Sequence, residues 1–113
     1  NIQPDNVITY DQFKNIELKT AKIVSAEKVE GADKLLKIQV DINNEKRQII
    51  SGIAEHYSSE ELINKIIIVV TNLKPAKIFG IESYGMLLAA KKGKDLTLIT
   101  LDSEKVNTGM TIY

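Results

Sequence analysis

The sequence predicts a mainly β domain: a five-stranded barrel with short helices and a C-terminal β extension. Three observations carry that expectation. Short runs rich in β-branched residues recur with turn signals between them. One stretch, Leu36 to Ile42, alternates apolar and charged or amide residues. Helix-start signals occur at only two places, Thr9 and Ser58, and neither is followed by a long periodic segment. The 113 residues support one domain, with residues 1–8 as a linker or N-terminal arm and 9–113 as the folded unit.

The elements follow in order. Asn1 to Ile8 is polar, contains Pro4 and has no periodicity. Thr9 and Gln12 have capping-box spacing, with Phe13 and Ile16 apolar on one helical side, so a helix of about two turns is expected, held by tertiary packing. Thr20 to Val29 reads as a strand ending at the turn Gly31-Ala32-Asp33. Leu36, Ile38, Val40 and Ile42 then mark the buried face of a second strand. Asn43-Asn44 turns the chain into a third strand, Arg47 to Ile53, completing a meander. Ser58 and Glu61 open a second short helix, with Leu62 and Ile63 on its apolar side. Ile66 to Val70 does not alternate, so a strand covered on both faces is expected. An irregular basic connection, Thr71 to Gly85, leads to strands at Met86–Ala90 and Leu96–Leu101. A short helix between the third and fourth strands of such a barrel is the arrangement of the OB fold.

Enzyme chemistry finds few candidates. There is no cysteine, hence no disulfide framework and no thiolate metal or redox site. His56 is the single histidine and has no His-x-x-x-His partner, so a surface or helix-capping role fits it. Ser51 lacks the Gly-x-Ser-x-Gly elbow, and the six glycines form no phosphate loop. Glu60-Glu61 is explained by the helix N-terminus, where negative charge is favoured. No catalytic residue, metal or cofactor is expected. The longest apolar run, Ile66 to Val70, is too short for a membrane span, and a cytoplasmic location is expected.

The net charge is zero but unevenly distributed. Residues 1–64 carry −3, residues 65–94 carry +5 and residues 95–113 carry −2. The basic stretch holds Lys65, Lys74, Lys77, Lys91, Lys92 and Lys94 against Glu82 alone, a weak pointer to a polyanion. Within it, Lys74 and Lys77 suit phosphates, while Asn72, Ser83 and Tyr84 add hydrogen-bonding groups and one aromatic face. A nucleic-acid-binding module and a protein-interaction module both fit this pattern. Turn-satisfying roles for Asn72 and Ser83 remain open.

At these residues the chain resembles the tRNA-binding domain found at the C-terminus of many methionyl-tRNA synthetases and as free-standing tRNA-binding proteins. The matching stretches are Ile16 to Ile23, Ala32 to Lys37, Arg47 to Ala54, Tyr57 with Glu60-Glu61-Leu62, and Asn72 to Ala90. The resemblance implies an OB fold, a homodimer paired through C-terminal structure, and shape-based binding of tRNA without sequence specificity. It implies a contact surface of Asn72, Lys74, Lys77, Ser83 and Met86, with Lys34 and Arg47 added from the meander. It also implies a synthetase catalytic body in cis, methionine–tRNA ligase, to which this module adds a second tRNA contact. Lys19 and Tyr84 depart from the family pattern, where arginine and a polar Glu or Gln are common. The initial Asn1 favours an excised domain over a free-standing protein. Leu98, Leu101, Val106, Met110 and Ile112 are the candidate interface residues. A peptide-binding export chaperone on the same barrel is the alternative.

Overall fold

The computed structural model of the chain describes residues 4–102 and 104–113. Of the expected arm at 1–8, the first three residues lie outside the described ones, and Pro4–Asn6 form a 3-10 turn. Helix α1 (Tyr10–Lys14) begins where its capping box places it. The Thr9 hydroxyl accepts from the Gln12 N–H at 3.1 Å, and the Gln12 carboxamide accepts from the Thr9 N–H at 2.8 Å. Packing does not hold this helix as expected, because it buries no residue and leaves Phe13 36% exposed and, just beyond it, Ile16 45% exposed. Its anchors include the cap and the Lys14 ammonium, which lies 5.5 Å from the Tyr10 ring centroid and 5.2 Å from that of Tyr113.

Strand β1 (Leu18–Val29) serves two neighbours because it is long and bent. Its first half pairs with β4 (Ile66–Val70), from Leu18 opposite Val70 to Lys22 opposite Ile66. Its second half pairs with β2 (Ala32–Ile42), with register shifts after Ile23 and after Lys28 that curve the sheet toward closure. The turn into β2 is Glu30-Gly31, so the strand starts at Ala32, inside the expected turn. Asn43 and Asn44 adopt φ of 55° and 70°, the two left-handed positions of a tight hairpin, and deliver the chain into β3 (Glu45–Ser51). Short asparagine side chains tolerate that region better than other non-glycine residues.

Helix α2 (Ser59–Leu62) lies between β3 and β4, capped by the Ser58 hydroxyl accepting from the Glu61 N–H at 3.3 Å. It delivers Leu62, fully buried, into the barrel interior beside Ala21, Ile23 and Ile67. Leu36, Ile38, Val40, Ile49 and Val69 complete that interior. Strand β4 is covered on both faces, as its unbroken apolar run predicts. Ile67 and Val69 enter the barrel core, while Ile68 and Val70 join Leu18 in a second cluster beneath Leu88 and Ile112.

The connection Thr71 to Gly85 is not irregular. It contains a hairpin of β5 (Ala76–Ile78) and β6 (Ile81–Ser83), turned by Phe79 and Gly80 at φ of 54° and 77°. The expected strand Met86–Ala90 is divided at Leu88. Its first part, β7 (Met86–Leu87), pairs with β4; its second, β8 (Ala89–Lys92), pairs with β9 (Asp95–Leu98). The sheet order β3-β2-β1-β4-β7 makes an OB-like antiparallel barrel with short helices.

The C-terminal extension ends in β10 (Thr111–Ile112), which pairs with Leu18 and Lys19 on the edge of β1 that β2 leaves free. Thr20, 1% exposed, is its anchor. The Thr20 hydroxyl donates to the Asn107 carbonyl and accepts from the Met110 N–H at 2.9 Å. Its backbone carbonyl accepts from the Gly109 N–H at 2.8 Å. Replacing Thr20 by Val keeps the shape and removes both hydroxyl bonds, leaving the Met110 N–H and the Asn107 carbonyl without their part-buried partner. Urea denaturation is expected to show a loss of about 1–3 kcal/mol, with faster hydrogen exchange at Met110. Thr20→Ser, which retains the hydroxyl, is expected to keep most of the stability.

Candidate nucleic-acid interface

Where β3 meets the chain leading into β7, the barrel closes through side chains as much as backbone. The Tyr84 N–H donates to the Gln48 carbonyl at 2.8 Å, and the Ile50 N–H donates to the Ser83 hydroxyl at 3.0 Å. The Ser83 hydroxyl in turn donates to the Gly85 carbonyl at 3.2 Å. The Gln48 carboxamide donates to the Glu82 carbonyl at 2.8 Å and accepts from the Gln39 carboxamide at 2.9 Å. Gly85 permits the close approach: at φ +146°, a Cβ there would stand 3.1 Å from the Val70 carbonyl oxygen and 3.2 Å from a Val69 methyl.

Arg47 locks the base of the hairpin. One terminal nitrogen, Nη1, donates to the Thr71 carbonyl at 2.6 Å and to the Tyr84 carbonyl at 3.2 Å, joining the two ends of the connection. Asn72 fastens the same base to the segment after α1, accepting from the Glu17 N–H at 2.9 Å and donating to the Asn15 carbonyl at 2.7 Å. The hairpin is therefore a fixed projection. At its tip the Phe79 ring lies 3.5 Å from where a Gly31 Cβ would stand, against the β1–β2 turn.

Between the hairpin and the β2–β3 surface lies an open groove of about 890 Å³. Gln39, Lys46, Arg47, Gln48, Glu82 and Tyr84 are among the residues that line it, with Leu73, Pro75 and Ile81 on the apolar side. Tyr84 is 41% exposed. The neighbouring Glu82 carboxylate, through its hydrogen-bonding capacity toward the phenol and its negative charge, holds the Tyr84 pKa above the ordinary 10.0.

The seven residues singled out in the sequence occupy different environments. Lys74, Lys77 and Met86 are exposed. Lys34 is exposed near the start of β2, outside the groove lining. Arg47 lines the groove while clamping the connection. Asn72 is exposed, with both ends of its carboxamide hydrogen-bonded. Ser83 is 3% exposed and its hydroxyl is engaged in the seam. Gln39, Gln48 and Lys46 are functional candidates that sequence reasoning missed. Period-2 alternation marked Gln39 as outward-facing, but no local signal brings it beside a loop more than 30 residues away.

The basic stretch is also divided among elements. Lys74 and Lys77 lie in the connection that carries the β5–β6 hairpin, whereas Lys91 and Lys92 lie on β8 and Lys94 in the β8–β9 turn, a separate two-stranded sheet. His56 is exposed before α2. No group of three or more His, Cys, Asp or Glu residues able to hold a metal occurs among the described residues. No helix among them is long and apolar enough to cross a membrane.

Residues 18–110 match the family model described as "Putative tRNA binding domain". The chain belongs to this tRNA-binding-domain family. It is 58% identical over 99 residues to the methionine–tRNA ligase of Thermotoga maritima, an alignment covering 88% of this chain and 16% of that protein. The chain thus spans only a small part of the curated relatives it matches. Among solved structures, a MetRS related protein from Pyrococcus horikoshii superposes with a TM-score of 0.89 at 38% identity, covering 96% of this chain and 99% of that one. The CsaA chaperone protein from Picrophilus torridus superposes at 0.86 with 27% identity, covering 95% and 100%. The tRNA-binding-domain family therefore includes the whole barrel, and the seam, hairpin and groove all fall inside the matched residues.

Glu82→Gln removes the charge that holds up the Tyr84 pKa. An ultraviolet absorbance titration is expected to show one tyrosine ionising at lower pH in the variant than in the parent. An unchanged titration would mean that Glu82 does not govern this phenol.

Proposed function

We propose that the chain is a non-catalytic tRNA-binding module, the appended C-terminal domain of a methionyl-tRNA synthetase, acting in the cytoplasm without a cofactor. The observation that carries this reading is the pair Lys74 and Lys77, displayed on a hairpin fixed to the barrel seam and lacking an ion pair within 4 Å among the described residues. Free ammonium groups on an immobile base meet phosphates without an added backbone ordering cost. Met86 and Lys34 extend the contact surface. Arg47, Asn72 and Ser83 contribute to binding by positioning the hairpin through the hydrogen bonds described above. Tethered to a catalytic body, such a module raises the local concentration of tRNA rather than performing chemistry.

The electrostatic mechanism has a quantitative signature. Each neutralised phosphate contributes a slope of roughly −0.7 to −0.9 to the dependence of log affinity on log salt. Lys77→Ala is expected to weaken tRNA binding and make this slope shallower by about one such increment, with thermal stability nearly unchanged. Filter binding at several salt concentrations measures it. An affinity independent of salt, for parent and variant alike, would overturn the reading. Binding of an unfolded peptide in preference to tRNA would favour the chaperone alternative.

A homodimer is part of the proposal. Exposed apolar side chains gather at one end of the molecule: Val7, Ile8, Tyr10, Phe13 and Ile16 around α1, and Met110 and Tyr113 around β10. Phe13, Ile16, Thr111 and Ile112 line one shared cleft there. Among the interface candidates from sequence, Leu101 and Met110 are exposed and Val106 and Ile112 half-buried, whereas Leu98 belongs to the barrel core and offers no surface. Sedimentation is expected to give a dimer that Phe13→Glu converts to a folded monomer. A parent chain that stays monomeric at high micromolar concentration would contradict the dimer.

A further inference from the structure

We propose that the groove between β3 and the β5–β6 hairpin is a subsite for one unpaired nucleotide, its base stacked on Tyr84 and its edge read by Gln39. This deepens the tRNA-binding reading and rests on it. Four features of the groove converge on that occupant.

The first is charge. Glu45, Lys46, Arg47 and Glu82 line the groove and cancel one another, so the cleft does not attract a phosphodiester into its interior. A nucleobase is neutral and planar, and Leu73, Pro75, Ile81 and the Tyr84 ring supply apolar contact for it. The phosphates flanking that base remain outside, where Lys74 and Lys77 are exposed.

The second is a preset aromatic face. The Tyr84 backbone is fixed at both ends, its N–H on Gln48 and its carbonyl on Arg47. A ring tethered in this way loses little freedom when a base stacks on it. The third is an oriented amide. The Glu82 carbonyl can only accept, so Gln48 must donate to it and present its oxygen to Gln39. Gln39 therefore has its own carbonyl oxygen and a second N–H available toward the groove it lines, one acceptor and one donor for a base edge. The fourth feature separates RNA from an extended peptide. A peptide adding to β3 would need free backbone groups along that edge, yet the Gln48 carbonyl and Ile50 N–H are occupied by Tyr84 and Ser83.

The test compares two labelled probes by fluorescence anisotropy: a single-stranded RNA pentamer, and an abasic pentamer with the same number of phosphates. The parent chain is expected to bind the base-bearing probe more tightly. Tyr84→Ala is expected to weaken that probe by about five- to a hundred-fold and leave the abasic probe unchanged, while Tyr84→Phe keeps most of the preference. Gln39→Ala is expected to reduce discrimination among homopolymeric pentamers. Tyr84→Ala retains the backbone bonds of the seam, and an unchanged thermal melt verifies the fold. Equal affinity for the two probes, with salt-dependent tRNA binding intact, overturns the subsite and leaves the tRNA reading standing. Loss of affinity for both probes to the same extent also overturns it. Failure to bind tRNA or either probe overturns both readings, and a groove-dependent preference for peptide over RNA overturns the subsite in favour of the chaperone class.

Discussion

The Arg47 guanidinium is the constraint on which the exposed chemistry depends. A barrel of five strands must close somewhere, and here the closing strand is too short to provide a full backbone ladder. Side chains from β3 complete the joint, and Arg47 reaches the carbonyls at both ends of the Thr71–Tyr84 connection from a single nitrogen. The Thr71 carbonyl would otherwise sit at a half-buried seam without this partner, at a cost of about 1–3 kcal/mol. The planar guanidinium, permanently charged and carrying paired donors, is suited to a fork of this kind, and lysine does not offer the same geometry. What the clamp produces is a hairpin whose base cannot drift.

The groove is a consequence of the same joint. Because Gln48 is occupied with Tyr84 and Glu82, it turns Gln39 toward the cleft; because Tyr84 is held through its backbone, its ring stands at the groove wall. The far end of the molecule uses a different device. Thr20 stands buried near the start of β1, and its hydroxyl fastens the C-terminal extension. Strand β1 thus carries β4, β2 and β10 at once, and its bulges let one chain segment belong to all three pairings.

Much of the barrel was legible because its determinants are local. Alternation at Leu36, Ile38 and Val40, the Asn43-Asn44 turn, the two caps and the unbroken run Ile66–Val70 each specify an element from a few neighbouring residues. The hairpin in the basic connection was not legible. Its turn uses Phe79 at a left-handed φ, where asparagine, aspartate or glycine is the usual signal, and the contact of its ring with the β1–β2 turn is invisible to local reading. The residues of the proposed site show the same divide. Lysines announce themselves by charge and stayed exposed, whereas Asn72, Ser83 and Arg47 have long-range structural partners that residue type alone does not reveal. Phe13 and Ile16 gave a correct helix and a misleading core, since an amphipathic pattern does not say whether the covering surface lies in the same chain.

The neutral net charge also acquires a physical meaning once the lysines are placed. The Lys74–Lys77 group belongs to the connection with the β5–β6 hairpin, and the Lys91–Lys92–Lys94 group to the separate β8–β9 hairpin. The Debye length at physiological salt is about 8 Å, so exposed charges farther apart than this are largely screened from one another. What a phosphate meets is the charge within its own screening distance. At the hairpin that charge is positive and held in place; inside the adjoining groove it is balanced. A surface of this kind draws a polyanion to the rim and leaves the cleft to a neutral group carried on the same chain. That division of labour needs no basic total, and it makes the attraction reversible at modest salt, which suits a module that must release what it holds.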